Sequence, residues 1–466
     1  MIKKVLKNIM KKTLKTAKLI FMNLIMLWYI FCPQVMLLAN SGVNHIQPDG
    51  STHTKTDRAP NNTPLIYIAA PNQSGVSLNN YSKFNVNKEH LILNNSKELT
   101  TSSQLGGLIT GNQNLMASGV KEAQIIVNQV TGRERSKLFG YTEIAGKKAE
   151  LIIANPNGLD IAGAGFINTS RLSLITGQVQ MGSGDITGFS LAKNPNNSIV
   201  ITGVNTPNYV NLGIDASEVQ YIDIISRYIE INADIQAQNQ LNIYTGNKQY
   251  DYKNKVVSSE DSTTQSPIFA LDSSHLGGMY ADKIKIIASE NGVGVRARGD
   301  LVSNVDSVDF STQGDIQYES ISSAKNLNIT TTNGNITQGK IDSVNNTSRV
   351  IVKQEINLSA KQGNIELSGD KMTALSDINI TGKSITSTGN AVANNNLNLE
   401  ATAGNIDNQG ELLAGVDLNL SASDNILTND LGASNDINAT ATSITSTGNA
   451  VANNNLNLEA TAGDID

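Results

Sequence analysis

The segment Ser384–Asp407 reads SITSTGNAVANNNLNLEATAGNID, and Ser443–Asp466 reads SITSTGNAVANNNLNLEATAGDID. They differ at one position of 24, Asn405 against Asp464, and lie 59 residues apart. Inside that spacing runs a shorter beat. An apolar-Asn-apolar or small triplet recurs at Ile378-Asn379-Ile380, Leu397-Asn398-Leu399, Leu418-Asn419-Leu420, Ile437-Asn438-Ala439 and Leu456-Asn457-Leu458, in steps of 19, 21, 19 and 19 residues. Looser copies stand at Leu241-Asn242-Ile243, Leu327-Asn328-Ile329 and Ile356-Asn357-Leu358. A period of two puts the apolar pair on one face and the Asn on the other. Turn residues follow, as in Thr332-Asn333-Gly334-Asn335 and Ala403-Gly404-Asn405. Short strands at a fixed beat predict a solenoid. The fold expected is all-β: a right-handed parallel β-helix, with coils of about 20 residues stacked about 4.8 Å apart. Ile, Leu and Val point inward, and stacked Asn amides hydrogen-bond along the axis. The roughly 430 residues after the leader predict on the order of 20 such coils.

Composition agrees. Charged residues make up 16%, against roughly 25% in ordinary globular proteins. Aromatics are 5% and prolines 9 in 466 residues. A disordered Ser/Asn-rich linker would not keep so regular an alternation of Ile, Leu and Val, nor a net charge of only −6.

The first 39 residues are of another kind. Lys3, Lys4, Lys7, Lys11, Lys12, Lys15 and Lys18 precede an apolar run from Leu19 to Cys32, closed by Pro33. That run is shorter than the ~20 residues a spanning helix needs, so residues 1–39 read as a secretory signal peptide. Its removal takes the net charge from −6 to −13 and carries away the only Cys and the only Trp. An acidic remainder argues against nucleic acid as a partner. Without cysteine it has no disulfides.

Residues 44–300 carry an ordered set of segments: His45–Thr52 (HIQPDGST), Ile66–Asn95, Gly107–Leu115 (GLITGNQNL), Ile126–Gly132 (IVNQVTG), Ala149–Thr176 and Gly277–Val295. Together they resemble the secretion domain of two-partner-secreted exoproteins, the filamentous haemagglutinin family. The resemblance implies export of an unfolded chain to the periplasm and capture by the periplasmic domains of a partner outer-membrane β-barrel transporter. It also implies release to a Gram-negative-type cell surface. It divides the chain into residues 1–39, a secretion domain over 40–300 and haemagglutinin-type repeats over 301–466. It further assigns transporter recognition to Asn155-Pro156-Asn157-Gly158 and to Asn112, Asn114 and Leu115, where Gln113 replaces the family's usual Pro. Some contact-dependent growth-inhibition proteins in the family carry two cysteines where this chain has Ile161 and Ala164, so that disulfide is absent.

Read without the resemblance, Asn155–Gly158 is a type I turn, with Asn first, Pro second and Gly fourth. At an exposed turn, Asp or Ser in place of either Asn is expected to cost below about 1 kcal/mol. Arg298-Gly299-Asp300 is an integrin-type tripeptide, a candidate for cell binding and equally an ordinary turn with exposed Arg and Asp. His45, His53, His90 and His275 are scattered, with no spacing suited to a metal or a catalytic triad. Gly292-Val293-Gly294 is a lone glycine pair in a turn. Neither cofactor nor catalytic residue is expected. A β-helical polysaccharide-active enzyme is the minor alternative, disfavoured by scarce aromatics. The function expected is an adhesin or haemagglutinin that meets a host or neighbouring-cell receptor. The stalk of a contact-dependent growth-inhibition toxin is the alternative. The stop at Asp466, inside a repeat, is read as a fragment or a truncated frame; an autotransporter would need C-terminal barrel strands.

Overall fold

The computed structural model describes residues 44–206, 209–260, 265–339 and 348–466. The leader lies outside them. Their elements are β-strands and one 3₁₀ turn. Each coil lays one strand on each of three faces. Leu397–Ala401 lies on the first, Ile406–Asn408 on the second and Leu412–Ala414 on the third, before Leu418–Ala422 returns to the first. Stacking these strands gives sheets of 16, 13 and 16 strands. Nearly all neighbours are parallel and in register. Leu397, Asn398 and Leu399, for example, pair with Leu418, Asn419 and Leu420.

The alternation is the one read from the sequence. Leu397, Leu399 and Ala401 point into a core of stacked aliphatic residues. Asn398 points outward and joins a continuous amide ladder. Each Asn Nδ2 donates to the Oδ1 of the coil before it: Asn357 to Asn328, Asn379 to Asn357, Asn398 to Asn379, Asn419 to Asn398, Asn438 to Asn419 and Asn457 to Asn438, all at 2.7–3.0 Å. The ladder begins on a carboxylate, with Asn328 Nδ2 2.7 Å from Asp309 Oδ1. Lys283 balances that charge at 3.4 Å.

Corners are held by a second device. A carboxylate or carboxamide at one turn accepts the backbone N–H of the next coil. Examples are Asp377 from Asn396, Asn396 from Asp417, and Asp417 from Asp436.

The first face has 16 strands rather than the 20 or so expected from length. The difference is chain spent on excursions. Residues 96–124 leave the helix and carry the antiparallel hairpin Thr100–Ser103 with Gly107–Thr110. The buried Glu143 holds its base, accepting from Ser103 Oγ at 2.6 Å and from the Gln104 and Leu105 amides at 2.8 Å. Residues 176–198 and, in the following turns of the helix, residues 246–260 and 265–268 leave between the first and second faces. They combine Gly177–Gly182, Asp185–Leu191, Gln249–Asp251 and Val256–Ser258 into a four-stranded antiparallel sheet.

That sheet lays Phe189, Leu191, Tyr250 and Val257 over the outer side of the first face, on Val127, Ile152, Ala154, Ile175 and Tyr244. Here the first face is buried on both sides, which is why Ala149–Ala154 is almost continuously apolar. Burial opposes the Arg171 charge under this cover. Asp223, 2.7 Å away and itself 1% exposed, acts with Glu150 to overcome it and holds the guanidinium above its usual range. At the other end, Ile46–Pro48 and Lys55–Arg58 pair antiparallel with Val76–Phe84 and Pro64–Tyr67 and cover strand edges.

The ladder makes a quantitative prediction. Asn398→Ala orphans the Asn379 oxygen and the Asn419 nitrogen, and is expected to lower stability by about 1–2 kcal/mol. Asn457→Ala breaks only one bond, at an exposed position, and is expected to cost less than half as much. Urea unfolding of both variants measures this. Equal losses would mean that the amides do not act as a ladder.

Candidate functional site

Asn155 ends the first-face strand Ala149–Ala154 and opens the corner to the second-face strand Leu159–Ala162. The turn closes as expected, with Gly158 N donating to Asn155 O at 3.1 Å. Gly158 has φ +114, and a Cβ there would run into the Arg135 guanidinium, so both conformation and space demand glycine.

The expectation of an exposed, tolerant turn is wrong for Asn155, which is fully buried. Its Nδ2 donates to Glu134 O and Ser136 Oγ, both at 2.9 Å, tying the corner to the coil beneath. Its Oδ1 accepts from Asn157 N and Asn157 Nδ2, again at 2.9 Å. Asn157, half-buried, donates its remaining proton to Gly132 O at 2.9 Å. The turn rule reads the backbone. What it missed is that a coil lies directly below, whose carbonyls need donors.

Asn112–Leu115 is the same device without the proline. Asn112 is buried and caps the 3₁₀ turn Gln113–Leu115, accepting from Asn114 N at 3.0 Å. Its Nδ2 donates to Ile68 O and Asn94 O at 2.9 Å. Asn114 Nδ2 reaches His53 O and Ile68 O at 2.9 and 3.0 Å. Leu115 is buried, while Gln113 is exposed. Asn112 lies in the excursion between the third and first faces, and Asn155 at the corner between the first and second. The fold therefore builds two stapled corners and does not merge them into one site.

Arg298-Gly299-Asp300 is another corner rather than a projecting loop. Arg298 Nε turns back to Ser273 O at 3.2 Å, and Gly299 is buried with its N–H on Ser273 Oγ at 3.2 Å. Only Asp300 is exposed. Ile161 and Ala164 are core residues. His90 accepts the Tyr141 N–H on Nδ1 at 3.0 Å, and burial holds its imidazole below the usual range. His275 lies 3.1 Å from Glu319.

One feature in plain sight was missed: a second Asn-Pro-Asn, at Asn194-Pro195-Asn196. It folds as the first does, with Asn196 N on Asn194 Oδ1 and Asn197 N on Asn194 O, both at 3.0 Å. It stacks one coil beyond Asn155–Gly158. Asn197 Nδ2 donates to Pro156 O at 2.8 Å, and Arg135 Nη1 bridges Asn157 O and Asn196 O at 3.3 and 3.0 Å. Unlike Asn155, both Asn194 and Asn196 are exposed.

Asn155→Asp is now expected to destabilise by about 3 kcal/mol, because a buried carboxylate would face the Glu134 carbonyl with no proton to donate. Burial raises the introduced carboxyl above its unfolded value of about 3.9. The deficit should therefore be smallest below that pH and grow as pH rises through the folded value. Asn157→Asp, half-buried, should lose less. Thermal melts of both variants at low and neutral pH decide this; a pH-independent deficit would contradict it.

Residues 44–318 match the TPS secretion domain family. A 16S rRNA endonuclease CdiA of Enterobacter cloacae is 32% identical over 402 residues, which are 84% of this chain and 12% of that protein. A Toxin CdiA of Yersinia pestis is 38% identical over 276 residues, 59% of this chain and 8% of that protein. The chain thus spans about a tenth of these curated relatives. The crystal structure of a filamentous hemagglutinin secretion domain superposes with a TM-score of 0.52 at 26% identity, covering 69% of this chain and 98% of that one. With the match running over residues 44–318, more than half of its length, this chain belongs to the TPS secretion domain family.

Proposed function

We propose that this chain carries the export determinant of a secreted, surface-displayed exoprotein, delivered across a Gram-negative outer membrane by a partner β-barrel transporter. Family membership over residues 44–318 carries the reading. The transporter's periplasmic domains recognise the secretion domain. The later coils then form outside the cell, each on the one before, and the free energy of stacking draws the chain outward without a nucleotide.

Asn155, Asn157, Asn112 and Asn114 serve recognition through the corners they hold, since their carboxamides are engaged within the fold. The nuclease and toxin activities named for the relatives belong to those whole proteins. In this chain, we propose, the coils act as a non-enzymatic stalk. An adhesin and a contact-dependent growth-inhibition toxin would both use such a stalk. The relatives named as CdiA favour the toxin.

The test is fractionation of cells expressing the chain with and without the partner transporter. The chain should appear in the medium or on the cell surface only with the transporter, and stay periplasmic without it. Export independent of the transporter would refute the reading.

A further inference from the structure

Between the two excursions on the first-to-second corner the chain takes a short cut. Tyr221–Ser226 reaches Ile229–Ile231 through Arg227 and Tyr228 alone. The coil before takes 176–198 over the same corner, and the coil after takes 246–260 and 265–268. The excursions pair with each other in the antiparallel sheet, and Lys193 and Glu260 form an ion pair across them. Beyond that pair they part. Asn194–Asn196 forms one wall and Gln265–Ile268 the other of a groove of about 490 Å³.

The groove is rigid for a visible reason. Arg227, completely buried beneath it, forms a bidentate pair with Glu290, Nε–Oε2 3.0 Å and Nη2–Oε1 2.7 Å. The same guanidinium donates to Lys193 O in one wall and, at 3.3 Å, to Ser266 Oγ in the other. Ser266 Oγ in turn donates to Glu290 Oε1 at 2.7 Å. Replacing such a pair with apolar groups would often be no less stable, so its use here is to fix the two walls.

The walls sit on the strands Ile199–Thr202 and Phe269–Ser273, which are separated by the single strand Ile229–Ile231. They are therefore two coil steps apart, about 9.6 Å, which leaves about 4.8 Å on either side of one extended chain. The lining mixes two prolines, the exposed carboxamides of Asn194 and Asn196, and Ile268, which is 80% exposed. A lining without a charged side chain suits a neutral extended peptide rather than an anion. The Asn194 wall is stapled through Arg135 and Asn197 to the Asn155–Gly158 corner, and the whole lies inside the TPS segment.

We infer that this groove is the surface that takes an extended segment of the transporter's periplasmic domains, with Asn155–Gly158 and Arg227 as positioning residues beneath it. The inference rests on the export reading above and names where the contact is made.

The probe is the purified periplasmic domain of the partner transporter, titrated with the secreted chain. Wild-type chain that does not bind overturns the export reading itself. Given wild-type binding, Ile268→Glu and Asn196→Asp should each weaken it at least 10-fold, with unchanged melting temperatures. Ile351→Glu, a control at an exposed apolar position on the third face (52% exposed), should bind as wild type. Ile268→Glu and Asn196→Asp both binding as wild type would overturn the groove. So would variants that bind the transporter normally but lose attachment to recipient cells, which would make the groove a receptor site.

Discussion

In-register parallel stacking governs everything else in this molecule. Each residue lies about 4.8 Å from its counterpart in the next coil, so a residue type is admissible where it tolerates something like itself above and below. Aliphatic side chains do so inside the core. Outside, asparagine does so because its carboxamide both donates and accepts. A lysine or glutamate stacked on itself would repel at that spacing. Glu400 accordingly lies between Thr381 and Ser421, and Glu366 between Thr337 and Thr386. Where carboxylates do stack, as Asp417 and Asp436, the lower oxygen accepts the upper residue's backbone N–H at 3.1 Å and the Asn435 amide at 2.7 Å. The low charged fraction, 16%, is thus a consequence of the architecture.

The same constraint explains what could be read from sequence. A strand that must stack on its neighbour repeats its pattern, and Leu397-Asn398-Leu399 announced both its inward and outward faces. The excursions obey no such rule. Gln178 pairs with Ser190 and Phe189 with Tyr250, partners set by a local antiparallel sheet that leaves no period in the chain. Hence the coil count came out high, and the second apolar layer over Ile152 and Ile175 went unseen. Asn155 was misjudged for a related reason. Its turn type follows from four consecutive residues, but its burial follows from Glu134 and Ser136 in the coil below. Asn194-Pro195-Asn196 was legible as a tripeptide; its stacking on Pro156 was not, because a 23-residue detour hides that the two are neighbours.

The excursions leave at the corners for a physical reason. The faces are committed, inward to the core and outward to ladders that fix register. Only a corner can lengthen without disturbing the stack, since the loop-closure cost of extra residues grows slowly with length. The first-to-second corner uses that freedom twice, on either side of the two-residue link at Arg227. A guanidinium with several donors can hold several backbone oxygens at once, and arginines recur where corners meet. Arg135 gathers Asn157, Ser198 and Asn196, and Arg227 joins Lys193 to Glu290.

A corner surface of this kind also fixes an order of events. Asn155–Gly158, Asn194–Asn197 and Gln265–Ile268 are spread over more than a hundred residues of sequence, yet they adjoin only when four successive coils are stacked. A transporter reading that composite surface reads a folded domain, whereas one reading a linear stretch would need none of the staples. The staples are the costly part. Buried Asn79 stands in a column that later coils fill with Ile153 and Leu174, and buried Asn155 in one that they fill with the smaller Thr176 and Ser226. Such polar networks specify a unique arrangement more than they add stability. Most of the buried asparagines lie before residue 160, whereas the coils after 320 stack an aliphatic core beneath an outward amide ladder. Coils without such staples draw their stability from a stacked neighbour.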